Sequence, residues 1–171
     1  MTAYVALLRA VNVGGRKLLM DDLRDIAAAL GFANPRTFIA SGNLLFASDL
    51  SETRVKSMLE KSIAEHMAAA VPVMLRTAAE LERVAKANPF SREPGNRVAA
   101  IFLDRPPPSD TIETARNLED ERIAIGEREV YVAYGEHGMG RSRLRIPAAE
   151  AGTARNMNTV AKLAGLAKEI A

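Results

Sequence analysis

Residues 36–47 have the sequence RTFIASGNLLFA, in which two apolar runs flank the polar turn Ser41-Gly42-Asn43. Short apolar and β-branched runs joined by a turn of this composition predict a β-hairpin. The first strand is predicted at residues 36–40 and the second at residues 44–47. The elements on either side of this hairpin decide which sheet it belongs to.

The flanking elements predict a βαββαβ order. A β-branched and apolar run predicts a strand at residues 2–8, and apolar residues at helical spacing predict a helix over residues 19–30. A longer amphipathic helix, capped by Ser51, ends before Pro72, and residues 73–76 form the next predicted strand. This order is typical of the split βαβ or ferredoxin-like unit, an antiparallel sheet with both helices on one face.

The second half of the chain partly repeats this order. Thr77 and Glu80 predict the capping box of a connecting helix. The further predictions are strands at 97–103, 122–125 and 130–134, a helix around 110–118, and a last helix capped by Thr153, without a final strand. The predicted fold class is α/β (α+β), with two ferredoxin-like βαββ halves, mainly antiparallel sheets and helices packed on one face. The halves are residues 1–76 and 97–171, joined by a connecting helix and loop at 77–96.

Composition restricts the chemistry. The 171 residues include no cysteine and two histidines, which excludes disulfides, thiolate metal ligands and a cysteine nucleophile. A chain of this length buries about two thirds of its unfolded surface, so we expect it to fold without a metal. It has no basic leader and no apolar run of roughly 18 residues, and we therefore expect a cytoplasmic protein with no membrane partner.

Three segments resemble the signatures of the domain of unknown function 1697 family. They are LRAVNVGG at residues 8–15, SGN at residues 41–43 and TARNMNTV at residues 153–160. The resemblance extends over essentially the whole chain and implies a bacterial α/β protein with two ferredoxin-like halves, but it implies no activity. One residue departs from the family pattern, because Met157 stands where the family usually has tryptophan, and an aromatic stacking role is not implied there.

These segments concentrate side chains that bind anions without titrating near neutral pH. Arginine presents a rigid fork to phosphate or carboxylate, and paired glycines let backbone N–H groups approach such a ligand. Arg155 and Asn156 are predicted in the first turn of the last helix, where the dipole favours an anion. We therefore predict a site for a small phosphorylated or carboxylated ligand. Its candidate residues are Arg9, Asn12, Gly14, Gly15, Arg16, Lys17, Ser41, Gly42, Asn43, Arg141, Arg143, Arg155, Asn156 and Asn158.

Two alternatives stay open. The asparagines of these segments could instead cap loops and helix ends, in a structural or protein-interaction module without a small ligand. Alternatively, Arg141, Arg143 and Arg145 alternate along the chain and would line one face of an extended segment, which suits a nucleic-acid backbone. No Walker motif, G-x-G-x-x-G run or protease motif occurs, so no cofactor and no metal are predicted, whereas catalysis and oligomeric state are left undecided.

Overall fold

The computed structural model of the protein describes residues 1–9 and 17–170. It contains two four-stranded sheets, each antiparallel throughout, and four α-helices. The contacts divide the chain into two compact units. Unit 1 comprises Met1–Leu81 together with Leu163–Ala171, and unit 2 comprises Glu82–Lys162.

The sheet of unit 1 has the strand order β2-β3-β1-β4 and confirms the predicted split βαβ arrangement. Each boundary lies within a few residues of the predicted one. The elements are β1 (Thr2–Leu8), α1 (Met20–Ala29), β2 (Ala33–Thr37), β3 (Asn43–Ser48), α2 (Glu52–Met67) and β4 (Val73–Thr77). Asn43 therefore begins a strand and is not part of the turn.

The core of unit 1 lies between one face of this sheet and the helices α1 and α2. Alternate residues of β1, including Ala6 and Leu8, point into it because side chains of a strand alternate between faces. Leu23 of α1 and Leu59 of α2 are fully buried against them. Each such leucine contributes about 1.5–3 kcal/mol of hydrophobic stabilisation, so both helices are held on one face, as predicted.

Unit 2 repeats the strand order, as β6-β7-β5-β8. The capping box that starts α3 is confirmed, because Thr77 Oγ1 accepts from Glu80 N at 3.2 Å and Thr77 N donates to Glu80 Oε1 at 3.0 Å. The elements of the second half of the chain are α3 (Ala78–Lys86), β5 (Val98–Phe102), β6 (Arg122–Ile125), β7 (Glu129–Ala133), β8 (Thr153–Asn156) and α4 (Met157–Lys168).

Two predictions for the second half are wrong. Residues 110–118 form turns and no α-helix, because the Thr111 and Thr114 hydroxyls bond to nearby carbonyls and Asn117 has a φ of 59°. The predicted absence of a final strand is also wrong, since Thr153 lies in β8. The last helix is capped by Asn156, whose Oδ1 accepts from Thr159 N at 2.9 Å.

The junctions β4–α3 and β8–α4 have the same local design. Arg76 in β4 pairs with Val5 of β1, and Arg155 in β8 pairs with Ala100 of β5. Both arginines are buried, and each donates from Nη1 to the carbonyl of the preceding residue, at 2.8 and 2.9 Å. In both cases the next residue caps a helix. The repetition of strand order therefore extends to individual side chains.

The turn between β6 and β7 is held by a buried carboxylate. Glu129 accepts hydrogen bonds from Glu127 N at 3.0 Å and from Arg128 N at 3.2 Å. We expect Glu129→Gln to lower the free energy of unfolding by about 1–2 kcal/mol, because a neutral amide replaces a charged acceptor of two N–H groups. Urea unfolding at pH 7 measures this change.

The matched control for this prediction is Glu127→Gln. Glu127 is exposed and only faces Arg83 at 3.7 Å, so its substitution should change the free energy of unfolding by less than about 0.5 kcal/mol. Equal stabilities of the two variants would contradict the role assigned to Glu129.

Candidate functional site

Three exposed arginines of unit 2 lie on one face of two short chain segments that pair with each other. Arg116 and Arg145 form an isolated antiparallel bridge in which Arg116 N donates to Arg145 O at 2.8 Å and Arg145 N donates to Arg116 O at 2.9 Å. Their side chains are therefore direct cross-strand neighbours, and Arg143 is two residues along the same extended segment. We call Arg116, Arg143 and Arg145 the arginine row.

The segment that carries the row is fixed by side chains that face inward. Ser142 donates to the buried carboxylate of Glu121 and accepts from Leu144 N at 3.2 Å. That hydroxyl is the main reason why the pKa of Glu121 is lowered, so the carboxylate is charged at neutral pH. Leu144 and Ile146 pack into the hydrophobic core of unit 2. Alternation of inward and outward side chains thus directs the arginines to solvent.

The row carries an excess of positive charge. Arg145 Nη2 lies 2.7 Å from Glu150 Oε1, and both side chains are at least half exposed. Within residues 1–9 and 17–170, neither Arg116 nor Arg143 forms an ion pair. Like charges directly opposite each other disfavour the paired arrangement by roughly 0.2–1 kcal/mol. An anion bound between these side chains would remove that repulsion.

A shallow groove of about 290 Å³ lies on the inner side of the same segment. Its lining residues are Ile101, Tyr134, Leu144, Arg145, Ile146, Ala149 and Glu150. Burial and the charge of Glu121 raise the pKa of Tyr134, so its phenol is protonated at neutral pH. Neither Tyr134 nor Glu121 is therefore suited to take up a proton near pH 7.

The first two signature segments meet in unit 1. Leu8 N at the end of β1 donates to Gly42 O at 2.9 Å, and Arg9 N donates to Pro72 O at 2.9 Å. Asn43 is fully buried, and its Nδ2 donates to Phe38 O at 2.8 Å and to Ser41 Oγ at 3.0 Å. Asn43 and Ser41 thus stabilise the hairpin turn. Asn12, Gly14, Gly15 and Arg16 lie outside the described residues, and Lys17 is exposed.

The third signature segment forms the junction of β8 and α4, so the placement of Arg155 and Asn156 in the first helical turn is wrong. Arg155 lies in the strand, where burial lowers its pKa to about 10. Asn156 is the helix cap, and Asn158 is exposed with its Oδ1 against the backbone of Gly95. The ligand-binding role of these residues stays a prediction.

Arg141 and Arg143 are both exposed, as the alternation in the sequence indicates. Arg141 belongs to the 3-10 turn Met139–Arg141, whereas Arg143 follows in the extended part of the segment. The candidate set drawn from the sequence contained neither Arg116 nor Arg145. Arg116 was predicted inside a helix, and no local pattern signals its pairing with a residue 29 positions away.

Two further properties bear on function. No group of three histidine, cysteine, aspartate or glutamate side chains within the described ranges is arranged to hold a metal ion. None of the helices in the same ranges has the length and apolar content needed to cross a bilayer.

Comparison with known proteins places the fold but names no activity. Residues 1–131 match the model of a family described as protein of unknown function (DUF1697). The chain is also similar to the solved structure of a conserved bacterial protein from Streptococcus pneumoniae, with 25% sequence identity and a TM-score of 0.80. That similarity covers 97% of this chain and 98% of the other. No curated protein gives a significant match.

Proposed function

Because this chain belongs to the DUF1697 family of proteins of unknown function, we propose its function from its own geometry: it binds a phosphate or carboxylate ligand on the arginine row. The observation that carries the proposal is the bridge between Arg116 and Arg145, which aligns two guanidinium groups beside Arg143 on an exposed face. Guanidinium groups bind such anions through charge-assisted, paired hydrogen bonds. The row is a binding surface, and no acid or base is assigned to it.

The contacts that hold the backbone of the row do not involve the arginine side chains. The bridge uses main-chain atoms only, and Asn117 Nδ2 donates to Arg143 O at 3.3 Å. Ser142 is anchored on Glu121 from the inner side. The guanidinium groups of Arg116 and Arg143 can therefore be replaced without loss of the contacts that hold the segment, which makes the proposal testable by substitution.

We expect the double variant Arg116→Gln/Arg143→Gln to bind tripolyphosphate at least tenfold more weakly than wild type. Tenfold corresponds to about 1.4 kcal/mol, a modest loss for two charge-assisted contacts at an exposed site. Isothermal titration calorimetry at pH 7 and low salt measures the affinity. Raising the salt concentration should weaken binding to wild type more than binding to the variant, because exposed charges are screened.

The matched control is Arg54→Gln. Arg54 is an exposed arginine of α2, and within the described residues it has no ion-pair partner. Its substitution removes one positive charge from unit 1 and should leave tripolyphosphate binding within twofold of wild type. A loss of binding free energy in the one-charge control of about half that in the two-charge double variant would mean that net charge alone attracts the anion. Unchanged affinity in the double variant would refute the proposed site.

A second candidate function is a structural or protein-interaction module without a small ligand. The hydrogen bonds of Asn43 and Asn156 favour it, because both side chains serve the protein backbone. In such a module the signature residues preserve the fold and the ligand-free protein is the active form. Titration of the wild-type protein with tripolyphosphate separates the two candidate functions, since a module without a small ligand does not bind this anion on the arginine row.

A further inference from the structure

The groove and the arginine row are two sides of one chain segment. From Ser142 to Ile146 the chain is extended, so Arg143 and Arg145 point to solvent while Leu144 and Ile146 point inward. The inward side chains line the groove, and Arg145 lies at its rim. A ligand in the groove therefore lies next to Arg145, which stands between Leu144 and Ile146 in the chain.

The wall of the groove is largely apolar. Ile101 of β5 forms the floor together with Leu144, Ile146 and Ala149. The polar residues of its lining are Tyr134, Arg145 and Glu150, and the hydroxyl of Tyr134 has no hydrogen-bond partner among residues 1–9 and 17–170. An apolar wall with one unused donor is typical of sites for small organic molecules and differs from a surface that binds inorganic ions alone.

The rim of the groove selects for charge. Arg145 and Glu150 line the groove and are paired at 2.7 Å, whereas Arg116 and Arg143 lie beside Arg145 on the row. The carboxylate of Glu121 lies beneath the segment and is bonded to Ser142 and to Glu119 N. The arginine row beside the groove therefore carries the positive charge, and charge complementarity favours an anionic group on the ligand.

The volume limits the size of the ligand. A groove of about 290 Å³ is at the lower end of the range for small-molecule sites. It corresponds to ~10 water volumes of about 30 Å³ each, which suits an apolar group of about ten non-hydrogen atoms. One fused pair of aromatic rings has this size.

We propose, building on the proposed function, that unit 2 binds an amphipathic anion whose apolar ring system fills the groove and whose phosphate or carboxylate contacts the arginine row. The ring system excludes water from Ile101, Leu144 and Ile146, and the anionic group lies next to Arg145 and Arg143. A plain phosphate uses only the row. The ligand class is thus an aromatic or similarly sized apolar phosphate monoester or carboxylic acid.

The test compares inorganic phosphate, 2-naphthyl phosphate and 2-naphthoate with wild-type protein by calorimetry. We expect 2-naphthyl phosphate to bind at least tenfold more tightly than inorganic phosphate, because its rings lose apolar surface to water on binding. Comparable affinity for 2-naphthoate would assign the site to anions generally, and much weaker affinity would assign it to phosphate monoesters. Either result for 2-naphthoate, together with the tighter binding of 2-naphthyl phosphate, supports the inference that the ring system occupies the groove.

Methyl NMR of the wild-type protein provides a readout that needs no variant. 2-Naphthyl phosphate should shift the methyl signals of Ile101, Leu144 and Ile146, whereas Ile63 in the core of unit 1 should not move. A second arm uses Ala149→Leu, which fills the groove and should weaken 2-naphthyl phosphate at least tenfold while leaving tripolyphosphate unchanged. Retained tripolyphosphate binding shows that this variant is folded.

Distinct outcomes refute the two proposals. Equal affinities for inorganic and 2-naphthyl phosphate, without methyl shifts at the groove, would overturn the inference about the groove and leave the arginine row intact. Failure of wild type to bind tripolyphosphate would overturn the proposed function and the inference with it. Salt-sensitive binding of a ten-residue oligothymidylate that exceeds binding of 2-naphthyl phosphate would overturn the inference in favour of nucleic acid.

Discussion

Raising the pH above 10 is expected to destabilise the protein by about 1.4 kcal/mol per pH unit through Tyr131 alone. Tyr131 is 2% exposed, and its hydroxyl donates to Val84 O at 2.8 Å. Burial, and then the charges of Glu129 and Glu127, raise its pKa far above the ordinary value near 10. The folded state therefore retains a proton that the unfolded state releases.

The direction of the effect follows from proton binding. Below pH 10 both states are protonated at Tyr131, so its contribution to stability is fully present. Above pH 10 the unfolded state binds fewer protons than the folded state, and the free energy of unfolding falls as pH rises. By pH 12 the loss is about 2–3 kcal/mol.

The variant Tyr131→Phe isolates this contribution. At pH 8 it should be less stable by about 1 kcal/mol, because Val84 O loses its donor. Between pH 10 and 11.5 its stability should fall less steeply than that of wild type, by about 1.4 kcal/mol per pH unit. Urea unfolding at each pH, with phenolate absorbance recorded in parallel, measures both effects.

Tyr4 and Tyr134 also have pKa values raised mainly by burial, and both remain in this variant. They contribute equally to the two proteins. Only the difference between the two slopes reports on Tyr131. Parallel slopes for wild type and Tyr131→Phe would show that the phenol at position 131 does not differ between the folded and unfolded states.

Asn43→Ala is expected to lower the free energy of unfolding by about 2–3 kcal/mol. The side chain of Asn43 is fully buried, and its amide nitrogen joins Phe38 O to Ser41 Oγ across the turn before β3. Removal of the amide leaves the Phe38 carbonyl without this donor and creates a small cavity. The register of the hairpin also depends on this turn, since Phe38 N donates to Asn43 O at 3.1 Å.

Chemical denaturation of Asn43→Ala measures the loss, and Asn96→Ala is the matched control. Asn96 is exposed, and within the described residues its side chain has no partner, so its substitution should change stability by less than about 0.5 kcal/mol. A stable Asn43→Ala protein that no longer binds tripolyphosphate would instead assign Asn43 to a ligand site and contradict its structural role.

The fold of unit 1 could be predicted from the sequence because its elements have strong local signals. The apolar run of β1, the amphipathic stripe of α2 and the capping box at Thr77 each require only neighbouring residues. Strands β6 and β7 were predicted for the same reason, and they pair across a short turn.

The wrong predictions concern segments whose structure depends on distant partners. β8 has four residues and exists through pairing with β5, some fifty positions earlier. Residues 110–118 have the composition of a short helix with a threonine-rich start. Their threonine hydroxyls bond to nearby backbone carbonyls, and the backbone of Arg116 pairs with that of Arg145, so a regular helix does not form. The arginine row arises from that bridge, and this is why only Arg143 was among the candidates drawn from the sequence.

Unit 1 is built from two separate stretches of the chain, and this affects when it can finish folding during synthesis. Unit 1 includes Leu163–Ala171 in addition to Met1–Leu81, and Arg36 Nη1 of β2 lies 3.3 Å from Glu169 Oε2. All of unit 2 is translated between these two parts. At about 5–20 residues per second, the ribosome needs on the order of ten seconds to bridge that interval. Unit 1 therefore completes its contacts after unit 2 has been synthesised, so a ribosome that stalls within unit 2 leaves the earlier unit unfinished.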